Sequence, residues 1–139
     1  MVFGLWKKLR ERRAANRLDT MLGARVRVVE ATSHGALVPF LAARLVNLSE
    51  TGCLLALPSL ALDGINLTRC VNNGEDYLLE IEIASPRGGT WVMLAEVAWA
   101  NQDGDQPDHL FQLGARFSGA VALPRNWRRI LCQPPLATA

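Results

Sequence analysis

Leu41-Ala42-Ala43-Arg44-Leu45-Val46-Asn47-Leu48-Ser49-Glu50-Thr51-Gly52-Cys53-Leu54-Leu55-Ala56-Leu57 is a pair of apolar segments with a short polar insert between them. Leu41 to Val46 and Cys53 to Leu57 each have the apolar content of a buried strand, and Asn47 to Gly52 reads as the turn that joins them. Asn47 and Ser49 carry groups that hydrogen-bond local backbone or a ligand edge, and Gly52 has access to backbone angles closed to other residues. A turn at a strand end holds such groups at a fixed place on a rigid scaffold.

The sequence on either side repeats the pattern of short strand and turn. Upstream, Ala24-Arg25-Val26-Arg27-Val28-Val29-Glu30 alternates polar and β-branched residues as a half-buried strand does, Ser33 to Ala36 reads as a turn, and a second strand spans Leu37 to Val46 with Pro39 near its start. Downstream, Gly52 to Leu57 is a strand, Pro58 to Gly64 a connection and Asn72 to Asp76 a turn cluster. Tyr77 to Ile83 alternates again, Ser85 to Gly89 supplies a hairpin turn, Thr90 to Trp99 is a long apolar strand, and Phe111 to Phe117 ends the series after an acidic loop. Helical signals occur only at the ends. Val2, Leu5, Trp6 and Leu9 recur at helical spacing, so residues 2 to 17 form an amphipathic helix whose apolar stripe docks on the protein's own body or on a membrane or partner. Leu123 to Leu131 reads as a short helix with Pro124 in its first turn, and the tail after Gln133 frays. Short strands separated by turns make the fold mainly β, a small antiparallel barrel or sandwich; closure into a barrel removes exposed edges.

Composition narrows the class further. With 139 residues, half of them apolar, the chain fits one domain whose core needs neither disulfide nor metal. Fifteen Lys and Arg against thirteen Asp and Glu leave a formal charge of +2, too balanced for a general nucleic-acid binder. Charge is segregated, however: Lys7, Lys8, Arg10, Arg12, Arg13 and Arg17 face only Glu11 in the first seventeen residues. Cys53, Cys70 and Cys132 lack metal-site spacing and are expected to be reduced and mostly buried. Neither a secretory signal nor a bilayer-spanning apolar run is evident, which gives the expectation of a cytoplasmic protein.

Catalysis finds no foothold. The chain has no nucleophile elbow, phosphate-binding glycine loop or zinc-binding helix motif. His34 and His109 read as solvated loop residues, Asp103, Asp105 and Asp108 as a hairpin tip with no ordered set of metal ligands, and Glu80 and Glu82 as an outward polar face. What the sequence does offer is a chemical pair. Arg13 and Arg17 present forked donors matched to phosphate oxygens and to the O6/N7 edge of guanine, while Asn47 and Ser49 bond a base edge.

Arg13-x-x-x-Arg17, then Asn47-x-Ser49-x-x-Gly52, then Leu113-Gly114-Ala115-Arg116-Phe117 together resemble the PilZ domain family over most of the chain, from about Arg12 to Leu131. The resemblance implies a six-stranded antiparallel β-barrel with an N-terminal arm or helix and a short C-terminal helix, which binds the bacterial second messenger cyclic di-GMP without catalysis and without a further cofactor. It divides the chain into a basic amphipathic segment 1–12, a barrel domain 13–133 and a tail 134–139. Arg13 and Arg17 would grip phosphates and guanine edges, Asn47 and Ser49 would bond a guanine from the rim, and Gly52 would shape the turn. Arg12 resembles the residue type associated with a stacked ligand pair. Asn47 stands at a position that takes Asp or Asn, and its neutral amide attracts guanine N–H donors less than a carboxylate would, which lowers the expected affinity. Arg116 reads as an outward barrel arginine that offers a further cation. The ligand would bridge arm and rim and switch a surface for an unidentified protein partner. Rival readings are a barrel without ligand serving as adaptor in pilus or motility assembly, and a peripheral membrane module using Trp6 and the basic cluster. The C-terminal helix and the Trp6 stripe each offer a homodimer contact.

Overall fold

The computed structural model describes residues 18–101, 111–118 and 123–132. Six strands close into an antiparallel barrel: β1 (Leu18–Glu30), β2 (Leu41–Leu48), β3 (Gly52–Leu57), β6 (Tyr77–Ala84), β7 (Thr90–Asn101) and β8 (Phe111–Phe117). Around the barrel the order is β1-β2-β3-β8-β7-β6, and β6 pairs back onto β1. Two short strands, β4 (Ala61–Leu62) and β5 (Ile65–Asn66), form a separate hairpin, and a helix α1 (Trp127–Cys132) follows the last strand. The expected mainly-β architecture is therefore the observed one, with the barrel rather than the sandwich as its closed form.

Period-two alternation explains the closure. Val26 and Val28 of β1, Leu45 of β2, Leu55 of β3, Ile81 of β6 and Leu113 of β8 point inward and are fully buried in one cluster. Each such side chain contributes about 1.5–3 kcal/mol relative to exposure, so the interior is filled by packing. Glu80 and Glu82 face outward, as their alternation requires, and pair with Arg27 and Arg25 directly across the β1–β6 ladder. Trp127 of α1 is 5% exposed and joins the same core, which ties the helix to the barrel.

Several boundaries differ from the sequence expectation, including β6 and β7, which run on to Ala84 and Asn101. β1 begins at Leu18 rather than Ala24, because Leu18 and Asp19 find ladder partners in Leu48 and Asn47 that a local pattern does not reveal. β2 begins at Leu41 rather than Leu37, which leaves Pro39 before the strand, and it runs on to Leu48, so Asn47 is a strand residue and the turn is Ser49 to Thr51. Within Pro58 to Gly64, Asp63 and Gly64 both take positive φ, 47° and 92°, the conformation of a tight two-residue hairpin; an Asp-Gly pair is the sequence signal for it. The C-terminal helix starts at Trp127, later than expected, after a turn in which the Trp127 amide donates to the Pro124 carbonyl. After the β4–β5 hairpin, Asn66 caps a 3₁₀ turn, Leu67–Cys70, by accepting from the Thr68 amide at 3.0 Å, and the turn plugs the core with Leu67 and Cys70. Cys53 and Cys70 are buried, as expected, and burial pushes the Cys70 thiol up. The expected N-terminal helix, the aspartates of the acidic loop with His109, and the tail lie outside the described residues.

Candidate functional site

The chain crosses from β2 to β3 through Ser49, Glu50 and Thr51, and Ser49 holds that turn together. Its hydroxyl accepts from the amides of Thr51 and Gly52, both at 3.3 Å, and donates to the Gly52 carbonyl at 3.2 Å. The Ser49 amide also donates to the Gly52 carbonyl at 2.9 Å. Ser49 is 7% exposed, and its hydroxyl is engaged in fixing the turn.

Asn47 reaches its place through a slip in register. Leu45 pairs with Leu55, but Asn47 pairs with Leu54, so Val46 is an extra residue in β2. Without that bulge, period two would put Asn47 on the inner face with Leu45; with it, Asn47 shares the outer face with Leu54. Asn47 is 9% exposed, and its side-chain oxygen has no hydrogen-bond partner among the described residues. A buried acceptor left without a donor costs about 1–3 kcal/mol, so this oxygen is an acceptor in waiting.

Gly52 is required for closeness rather than for backbone freedom. Its φ is not among the positive ones, which corrects the expected role; a Cβ there would lie well inside van der Waals contact with the Ala115 carbonyl oxygen, 3.2 Å from its carbon and 3.3 Å from the Arg116 Cα. Any side chain would therefore push β3 from β8.

A second bulge completes the site on β7. Val97 pairs with Ala115 but Trp99 with Gly114, so Ala98 is the extra residue and Trp99 turns to the outer face. The indole lies directly over Gly114, where a Cβ would collide with Nε1 and the ring. Trp99 nevertheless remains 38% exposed, so one part of the ring is seated and another is open.

Between these parts lies a cleft of about 310 Å³, walled by Ser49 to Leu54, by Ala98 and Trp99, and by Gly114 to Arg116. Asn47 stands behind the turn and is not on its wall. Two ion pairs border it. Arg116 Nη2 lies 3.0 Å from Glu96 Oε2, and Arg128 of α1 reaches Glu50 with Nε at 3.0 Å and Nη2 at 3.2 Å. The Arg128 fork, together with a backbone hydrogen bond at Glu50, holds the Glu50 carboxyl below the ordinary glutamate range. Because both arginines have carboxylate partners, these pairs leave little net positive charge on the rim, and an anion here needs further cations.

Of the residues singled out from sequence, Ser49 and Gly52 lie on the cleft wall and Asn47 directly behind it, while Arg12, Arg13 and Arg17 lie outside the described residues. The next residue, Leu18, pairs with Leu48, so the strand that follows the arginines starts beside the turn. Trp99 and Gly114 were not recognised as site residues. The legible signal was the glycine: a glycine inside a strand marks a close approach, here an indole. No group of three or more metal-ligating residues occurs among the described residues, nor is any described helix long and apolar enough to cross a membrane. Against known proteins, the family model of the PilZ domain matches residues 11–123, and no curated protein matches the chain.

Proposed function

This chain belongs to the PilZ domain family of cyclic di-GMP-binding modules, and from that premise we propose that cyclic di-GMP seats in the cleft beside Trp99 and is gripped from the opposite side by Arg13 and Arg17. The observation that carries this reading is the cleft itself, an aromatic face and a polar turn brought together by two bulges and two glycines. A base stacked on the open part of the indole gains about 1–3 kcal/mol without regard to its hydrogen-bonding pattern. Specificity for guanine comes from the turn, from arginine forks on O6 and N7, and from Asn47, whose buried amide oxygen accepts from N1–H and N2–H once the turn shifts to expose it. The volume, at the small end of ligand clefts, suits one base, with the remaining nucleotide reaching out toward the arm.

Charge explains why the site has two parts. The ligand carries two phosphodiesters, whereas both rim arginines already hold a carboxylate. Arg13, Arg17 and Arg12 supply the missing cations, so binding orders the arm against the rim and presents a changed surface to a protein partner. The residues act by binding and orientation alone, and the reading calls for no cofactor. Calorimetric titration of the purified protein with cyclic di-GMP tests it: Arg13→Ala, Arg17→Ala and Trp99→Ala are each expected to weaken binding at least tenfold. Unchanged affinity in the arginine variants would overturn the assignment, and absence of binding by the wild-type protein would favour the adaptor reading.

A further inference from the structure

Among the described residues, Glu50 is the one acid on the wall of a cleft read as an anion site. It cannot swing far. Ser49 and Thr51 on either side of it are tied into the turn, so the carboxylate is presented from a fixed backbone. Its partner Arg128 comes from a remote part of the chain, 78 residues away, and meets it as a two-pronged fork, Nε to Oε1 at 3.0 Å and Nη2 to Oε2 at 3.2 Å. The guanidinium also lies over the Trp127 ring, 4.6 Å from its centroid, and that ring is buried in the barrel core. Arg128 does not line the cleft, and Glu50, which does, links it to the wall.

An unpaired carboxylate at this point would repel a phosphodiester entering the cleft, and a carboxylate already bridged by a guanidinium would not. We infer that Arg128 is a positioning residue of the ligand site: by neutralising Glu50 it makes docking of the C-terminal helix and occupancy of the cleft mutually favourable. The inference rests on the cyclic di-GMP reading and extends it to an element outside the resemblance's motif residues. Linkage is reciprocal, so the factor by which helix docking tightens ligand binding is the factor by which ligand tightens helix docking. The C-terminal helix thereby becomes a second reporter of the bound state, on the opposite side of the turn from the arm's entry in sequence. Both side chains are partly exposed, 41% for Arg128 and 62% for Glu50, which keeps the coupling modest.

The test is a charge cycle read by calorimetry with cyclic di-GMP. Arg128→Ala is expected to weaken binding about threefold to tenfold, the range of an exposed but forked pair. Glu50→Gln, which removes the acid from the cleft wall and keeps the guanidinium, is expected to tighten binding about threefold, and the double variant to return close to wild type. If Arg128 acted only as a prop for the helix, the double variant would stay as weak as Arg128→Ala, and that result would overturn the inference. Arg128→Gln, which keeps packing on Trp127 without the charge, replaces alanine in the cycle if Arg128→Ala fails to fold. Hydrogen exchange supplies the reciprocal readout: ligand should raise protection of amides 127–132 in wild type but not in Arg128→Ala. Wild-type binding with equal affinity in every variant overturns this inference alone, whereas no wild-type binding overturns the ligand reading and this one with it.

Discussion

Two outer faces of the barrel use the same residue types to opposite ends. On the β1–β6 face, Arg25 and Arg27 pair with Glu82 and Glu80, and both guanidinium groups stack on Phe40, 4.2 and 4.3 Å from its centroid. On the β3–β8–β7 face, Arg116 pairs with Glu96, Arg128 with Glu50, and Trp99 is the aromatic. The first face is saturated: the aromatic already holds two guanidinium groups, and the charges cancel in register. The second has a cleft. The difference comes from Gly52, Gly114 and the bulges at Val46 and Ala98, which remove side-chain volume and turn residues outward that period two would bury. The cleft is made by backbone devices, and charge and aromatic content alone would not tell the two faces apart.

The largest effect is expected where backbone meets backbone. Gly52→Ala forces a Cβ against the Ala115 carbonyl and should cost about 3 kcal/mol or more in chemical denaturation, with ligand binding lost; a loss below about 1 kcal/mol would show that β3 and β8 have room to part. Gly114→Ala comes next. It displaces a partly exposed indole rather than backbone, so stability should fall less while affinity for cyclic di-GMP drops by the stacking contribution of about 1–3 kcal/mol, measured by calorimetry beside a red shift in indole fluorescence. On the saturated face, Arg27→Ala removes a partly buried ion pair and a cation–π contact; stability should fall by about 1 kcal/mol and affinity should not change. The smallest effect is a pH dependence. The Glu50 carboxyl is lowered in the fold by Arg128, so its contribution to stability is full above the unfolded glutamate value and fades as pH falls through the lower folded value. Thermal melts across acid pH should therefore show slightly steeper acid loss in wild type than in Glu50→Gln.

Why one face was legible in sequence and the other only in part follows from the same devices. Strict alternation, as in Leu79 to Ile83, names inward and outward residues correctly, and it placed Glu80 and Glu82 outside. Every barrel strand was visible because each has its own apolar run and turn. A bulge breaks the count without leaving a mark in composition, so Trp99 read as one more residue of an apolar strand, and Asn47 was assigned to a turn although it ends β2. Gly52 was singled out for the wrong physical reason, since its need for closeness depends on β8, sixty or so residues on, and only the assembled sheet shows the Ala115 carbonyl beside it. The Glu50–Arg128 fork was invisible for a similar reason: nothing local in either segment announces a partner 78 residues away. Ser49 was found because its signal is local, a short polar side chain at the start of a turn.

The central claim, that cyclic di-GMP occupies the cleft and leaves the opposite face untouched, is tested most directly by amide and indole chemical shifts during titration of the labelled protein. The chain has four tryptophans, so Trp99→Phe identifies the relevant indole signal. The account predicts large shifts at the Trp99 indole N–H and at the amides of Ser49, Gly52 and Gly114, with Arg25, Arg27, Phe40, Glu80 and Glu82 unmoved. Saturating ligand that leaves the Trp99 indole in place, or that shifts the Phe40 face instead, would contradict it.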